Sequence, residues 1–165
     1  MIDDNDLEIL NILQQNARIA NAEIARRLSM APSAILERVR KLEARGLIRG
    51  YEARLDPEAI GLSLLAFVSV RSDAPTGETD LGERLALVPG VQEVHHIAGE
   101  DCFLVKVRTA DARSLGRLLR DGIGGLGSVR TRTTIVLETL LESARLPIPA
   151  RQTIPVETAE EVLHG

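Results

Sequence analysis

The sequence predicts an α+β chain in two parts. Three observations carry this reading. Apolar residues recur at helical spacing through residues 3–45, in segments broken by turn residues. From residue 64 onward, β-rich runs and amphipathic helical runs follow the order strand, helix, strand, strand, helix, strand. Between residues 17 and 54, nine basic residues outnumber four acids, in a chain whose net charge is −4.

The first helix opens at Asp3 and Asp4, whose acids suit the positive end of a helix dipole. Leu7, Leu10 and Leu13 set its apolar stripe, widened by Ile9 and Ile12, and the chain breaks at Gln15–Asn16. A second helix is expected from Asn21 as N-cap through Ile24, Ala25 and Leu28. Ser29-Met30-Ala31 makes a short turn. Pro32 then suits the first position of a third helix, which runs to about Arg45 with Ile35, Val39 and Leu42 inward. Gly46 is a fitting residue just past its end, because it adopts positive φ without strain. Two short helices joined by a tight turn, the second longer and basic, form the helix-turn-helix pattern. The run LIRGYEARLD after Gly46 is expected to form a short β-ribbon, completing a winged helix-turn-helix.

Such a helix presents its early outer residues to base edges and its basic flanks to phosphates. This assigns Ser33, Ala34, Glu37 and Arg38 to bases. It assigns Arg26, Arg27, Arg40, Lys41 and Arg45 to phosphates, with Arg49 and Arg54 on the wing. Local charge governs phosphate binding more than the net charge of the chain. The same pattern also fits a plain three-helix packing module, and composition alone fits a solvated helix surface.

The second part begins with LLAFVSVR (64–71), apolar on both faces as a covered strand is. A loop follows over 72–79. A helix then spans Asp80–Val88 on Leu81, Leu85 and Val88, with a turn at Pro89-Gly90. Val91–Ala98 and Cys102–Thr109 are two strands around Gly99-Glu100-Asp101. Asp111 caps a helix carrying Leu115, Leu118 and Leu119, a glycine-rich stretch ends it, and Val129–Leu140 is the last strand. This is the ferredoxin-like βαββαβ arrangement, with both helices on one face of the sheet. Leu65 and Phe67 point to the other face, so a second copy is expected to cover it in an isologous dimer. An RNA-recognition module shares this topology but stacks bases on aromatics, and here only Phe67 and Phe103 are offered. The expected division is 1–60, 61–142 and a tail at 143–165, in which Glu157–Leu163 could form a short helix.

The acidic N-terminus is unlike a secretory signal, and no stretch approaches the ~18 apolar residues of a membrane helix. A cytoplasmic protein is expected. Cys102 is the single cysteine, which excludes an intrachain disulfide and a zinc cluster. His95 and His96 are adjacent on a strand and point to opposite faces, so no shared metal is expected of them. No cofactor is expected.

The runs NARIANAEIARRLSMAPSAILERVRKLEARGLIRGYEARLDPEAIG, VPGVQEVHHIAGEDCFLVKV and VRTRTTIVLETL resemble the leucine-responsive regulatory protein/AsnC family of transcription regulators. The likeness covers about residues 3 to 141. It implies a winged helix-turn-helix that binds double-stranded DNA, an effector-binding domain, and dimers that often assemble further. It implies an amino acid or related metabolite as effector, bound near the loop between the second and third strands. On this chain that loop is Gly99, Glu100, Asp101 and Cys102, with Thr131 and Thr133 nearby. Such a ligand needs an acceptor for its ammonium and N–H donors for its carboxylate. Three positions depart from the family pattern. Ala31 stands where Ser or Thr often caps the recognition helix, Glu37 where a basic residue is frequent, and Cys102 where many members carry Asp. Certain tetrapyrrole-processing decarboxylases also look like this family, and His95, His96 and Arg108 are the residues such an enzyme would use here.

Overall fold

A computed structural model describes residues 2–72, 80–99 and 102–148. The chain forms two compact units. One is Met1–Ala53 together with the segment that begins at Ser143; the other is Arg54–Glu142. The loop residues 73–79, Glu100, Asp101 and the helix expected at Glu157–Leu163 lie outside the described residues. Among the described residues, no helix is long and apolar enough to cross a membrane.

The first unit holds α1 (Asp4–Gln15), α2 (Asn21–Leu28) and α3 (Pro32–Ala44). Their core is Ile9, Ile12, Ile24, Ala25, Ile35, Val39 and Leu42, all buried. The inward residues of α3 are those its spacing predicts. In α1 the buried centre is Ile9 and Ile12, while Leu10 and Leu13 flank it half-buried. The N-cap of α2 is Ala20, one residue before the expected Asn21, and it supplies no side-chain bond. Ser29 takes the left-handed conformation (φ 53°) between α2 and α3, and the Met30 N–H returns to the Ala25 carbonyl at 2.9 Å. Gly46 (φ 71°) ends α3 as its position predicts.

The β-ribbon expected after Gly46 is absent: no strand or helix is formed between Arg45 and Ser63. Two short strands in isolation are marginal in water. Instead, Tyr51 donates to Glu43 Oε1 at 2.9 Å, tying the segment back to α3. Partial burial and that carboxylate push its phenol up to about 12.

The second unit is a four-stranded antiparallel sheet of β1 (Leu64–Ser72), β2 (Val91–His96), β3 (Phe103–Thr109) and β4 (Val129–Ile135), in spatial order β2-β3-β1-β4. The helices α4 (Leu81–Ala86) and α5 (Ala112–Arg117) complete the ferredoxin-like order. Asp111 accepts from the Ser114 N–H at 2.7 Å, as a cap should. After α5 the chain continues through a wider π-type turn (Leu118–Ile123) and one 3-10 turn (Gly124–Leu126). Ala66, Val68 and Val70 of β1 join Val105 and Val107 of β3 beneath Leu81, Leu85, Leu115 and Leu118. Both helices therefore cover one face of the sheet.

β4 ends at Ile135, short of the expected Leu140. Ile135 already pairs with Ala66, and the Val136 N–H reaches the Leu65 carbonyl at 2.9 Å. β1 begins at Leu64, so a longer β4 would have no strand to pair with. The chain instead runs on in irregular form to Glu142. There Arg108 lies 3.4 Å from one carboxylate oxygen, Lys106 pairs with the other, and Arg54 donates to the backbone carbonyl at 2.7 Å. Lys106 also meets Glu93 at 3.0 Å.

The division differs from the expected 1–60, 61–142 and 143–165 in two ways. The second unit starts at Arg54, which bonds to its last residue, Glu142. The segment from Ser143 belongs with the helices, because Gln14 grips the Leu146 backbone through its N–H (2.6 Å) and its carbonyl (3.3 Å).

A capping box opens α1. Asp3 Oδ1 accepts from the Asp6 N–H (2.9 Å), and Asp6 Oδ2 accepts from the Asp3 N–H (3.3 Å). The Asp6 N–H, then the Arg38 guanidinium, hold the Asp3 carboxyl below its ordinary value of 3.8. A depressed folded pKa gives stability that is full above the unfolded value and fades as pH falls through the folded one. An NMR titration of the Asp3 carboxyl should show a midpoint below 3.8, with the cap's contribution to α1 fading as pH falls from 3.8 through that midpoint; a midpoint at or above 3.8 would refute the capping geometry.

Candidate nucleic-acid interface and effector loop

α3 starts at Pro32, whose fixed φ suits the first helical turn, and Ala31 provides no side-chain cap. With 3.6 residues per turn, burying Ile35, Val39 and Leu42 turns Ser33, Glu37 and Arg40 to the opposite side. All three are exposed, and Ala34 is half-buried on the flank. Lys41 and Arg45 are exposed beside them. Lys41 meets Glu37 one turn earlier at 2.6 Å. That pair explains how an acid sits on a basic helix: it neutralises Lys41 and leaves Arg40 as an exposed cation.

Arg26 and Arg27 lie on the last turn of α2 and share Glu23, at 2.8 and 3.0 Å. Their guanidiniums pull the Glu23 carboxyl down to about 2. The arginine side chains remain 74% and 49% exposed. Exposed pairs of this kind are weak, so a phosphate can displace the carboxylate.

Arg38 departs from the expectation that it faces bases. Three residues beyond Ile35, it sits about 60° from the centre of the buried stripe rather than opposite it. Its Nη1 lies 2.7 Å from Asp3 Oδ2 and 2.6 Å from Asp6 Oδ1, and its side chain is 29% exposed. The capping box at Asp3 and Asp6 is legible in the sequence from their spacing; its link to Arg38 joins residues far apart in the chain.

The loop between β2 and β3 is closed at its ends. The Ile97 N–H donates to the Cys102 carbonyl, and the Cys102 N–H donates to the Val70 carbonyl, each at 3.0 Å. Gly99 has φ 140°, a conformation L side chains rarely adopt, and none of the described residues packs where a Cβ would stand. Glu100 and Asp101 fall outside the described residues. Val70 pairs with Phe103 on one side and Thr131 on the other. Cys102 and Thr131 are thus brought to the same end of the sheet, on either side of β1. Thr133 pairs with Val68, two residues further in. Thr131 is exposed, while Thr133 and Cys102 are half-buried.

His95 and His96 do point to opposite faces. His95 pairs with Leu104 and lies 3.1 Å from Glu93, while the His96 ring lies 5.1 Å from the Phe103 ring. Sequence reasoning missed the junction of Glu142 with Lys106, Arg108 and Arg54; only the alternation of charge along β3 hinted at it.

Comparison with known proteins agrees with both halves. A family model described as winged helix-turn-helix DNA-binding matches residues 2–49, and the Lrp/AsnC ligand binding domain matches residues 65–146. The chain is 39% identical to the HTH-type transcriptional regulator LrpA of Mycobacterium tuberculosis, over 90% of this chain and 97% of that one. It is 37% identical to the leucine-responsive regulatory protein of Escherichia coli, over 91% and 93%. Among solved structures, a feast or famine regulatory protein from M. tuberculosis in complex with L-methionine matches with a TM-score of 0.85 and 39% identity, covering 90% of this chain and all of that one. A transcriptional regulator from Neisseria meningitidis, also bound to L-methionine, matches with a TM-score of 0.82 and 29% identity over 89% and 97%. The chain belongs to the Lrp/AsnC family of DNA-binding transcription regulators.

Proposed function

We propose that this regulator reads double-stranded DNA with the exposed side of α3 and answers to an amino acid or related metabolite at the 99–102 loop. The observation that carries the first half is the exposed basic surface of α3, opposite the buried Ile35, Val39 and Leu42. Ser33, Ala34 and Glu37 read base edges, with Glu37 suited to accept from a cytosine amino group. Arg26, Arg27, Arg40, Lys41 and Arg45 meet phosphates. Glu23 and Glu37 hold three of these cations until DNA replaces them.

The effector reading is supported by the position of Gly99, Cys102 and Thr131 at one end of the sheet, with Thr133 two residues further in, and by two similar regulators that bind L-methionine. Gly99 leaves open space for a ligand to approach the backbone. Glu100 and Asp101 supply acceptors for an ammonium.

The working form is a homodimer or larger assembly in the cytoplasm. One sheet face carries both helices, while the other offers Phe67 and Leu104, and Leu137, Leu140 and Leu141 are at least 84% exposed. These apolar side chains support a surface that a second copy covers. No catalysis is assigned. His95 and His96 diverge to opposite faces, and Arg108 is engaged by Glu142, so these three do not converge as a macrocycle-processing pocket requires.

Three measurements test this reading. Affinity for a duplex carrying the gene's own upstream region should fall steeply with salt, by about 0.9 log units per phosphate contacted, and Arg40→Ala should lower that slope by about 0.9. A shallow wild-type slope would sink the DNA reading. L-methionine at about 100 times its Kd should add about 2.7 kcal/mol of stability in thermal unfolding. If neither L-methionine nor any other amino acid shifts the melt, the effector assignment fails. Light scattering should give a mass of at least twice the 17.9 kDa chain, and a monomer would refute the assembly.

A further inference from the structure

We infer that Arg38 is a positioning residue for the recognition helix, one that sets the rotation of α3 against α1 and touches neither base nor phosphate. This rests on α3 being the DNA-reading helix. The geometry is a divided use of two carboxylates. Each gives one oxygen to the capping box of α1 and the other to Arg38. A single nitrogen, Nη1, accommodates both. The Asp6 side chain is 10% exposed, so its charge needs this partner to stay out of water.

Position in the fold gives the tie its consequence. α3 is otherwise held by Ile35, Val39 and Leu42 against an apolar core, and such contacts have little directional preference. An ion pair that also satisfies hydrogen-bond geometry is directional. It joins the first turn of α1 to the middle of α3, within one turn of Ala34 and Glu37. Readout by fixed side chains tolerates displacements of only about 0.5 Å or 10–20°. A small rotation of α3 moves Ser33, Ala34 and Glu37 together. Charge argues the same way: two carboxylates already face this one guanidinium, so Arg38 offers a phosphate no uncompensated charge.

The three roles Arg38 could play leave different signatures in the full-length protein on the upstream duplex and its single base-pair variants. A positioning role predicts that Arg38→Gln weakens binding to the upstream duplex by roughly tenfold or more and relaxes discrimination at every base pair α3 reads rather than at one, with the salt slope unchanged. It also predicts that Asp3→Asn and Asp6→Asn, added to Arg38→Gln, recover most of the affinity, because neutral hydrogen bonds then replace the ion pairs. Asp3→Asn alone, at the exposed end of the tie, should weaken binding by a few-fold in the same pattern, and this variant keeps the test open if Arg38→Gln does not fold. A loss concentrated at one base pair would make Arg38 a base reader. A slope reduced by about 0.9 would make it a phosphate contact. A triple variant that melts like the wild type yet binds no better than Arg38→Gln would also overturn the proposal. Failure of the wild type to bind the duplex would bring down the DNA reading itself, and the positioning role with it.

Discussion

The reading unit depends on how a buried carboxylate is paired. Asp6 lies in the first turn of α1 and completes its capping box with Asp3, yet the fold turns its side chain inward. Its charge can stay there only beside a cation. Arg38 supplies that cation from the neighbouring helix, and the three-helix packing acquires a preferred rotation. The apolar core of Ile9, Ile24 and Ile35 drives the helices together. The ion pair decides how they face. Everything on the far side of α3 inherits that decision, including the exposure of Ser33, Glu37 and Arg40.

The sensor unit has a different organising constraint, the two-sidedness of β1. Ala66, Val68 and Val70 are fully buried beneath α4 and α5. The opposite face mixes Leu65, Phe67 and Leu104 with Lys106 and Arg108, and both cations are drawn to Glu142. β1 also joins the 97–102 loop to the last strand, since Val70 links Cys102 through its carbonyl and Thr131 through its register. The ion pairs on the second face converge on Glu142, where the chain leaves this unit, and Arg54, where it enters, bonds to the same residue.

Much of this was legible along the chain because it is local. Asp3 as a cap, Pro32 and Gly46 as the ends of α3, and Asp111 at the start of α5 each follow from chemistry within a few residues. The order of strands and helices follows from periodicity. The illegible parts are those whose partners are distant. The β-ribbon read from LIRGYEARLD has suitable alternation but no third strand to stabilise it. The last strand stops at Ile135 because β1 has begun, a limit that no property of residues 136–140 reveals. Arg38 reads as one more basic residue on a basic helix, since its partners lie more than thirty positions away.

The sequence by itself determined the class of the molecule: three helices with a tight turn, a basic third helix, and a βαββαβ unit with a glycine-bearing loop. Periodicity and capping act over one or two turns of chain, and they settle which elements form. The tertiary structure decided which charges are available for function. Of the cations on α2 and α3, Glu23 and Glu37 hold three loosely at the surface, and Asp3 and Asp6 take Arg38 out of the reading surface. Arg40 is left exposed with no carboxylate beside it among the described residues. The reason is physical. Helical spacing places a side chain on a face, but what that face meets depends on how separate elements pack.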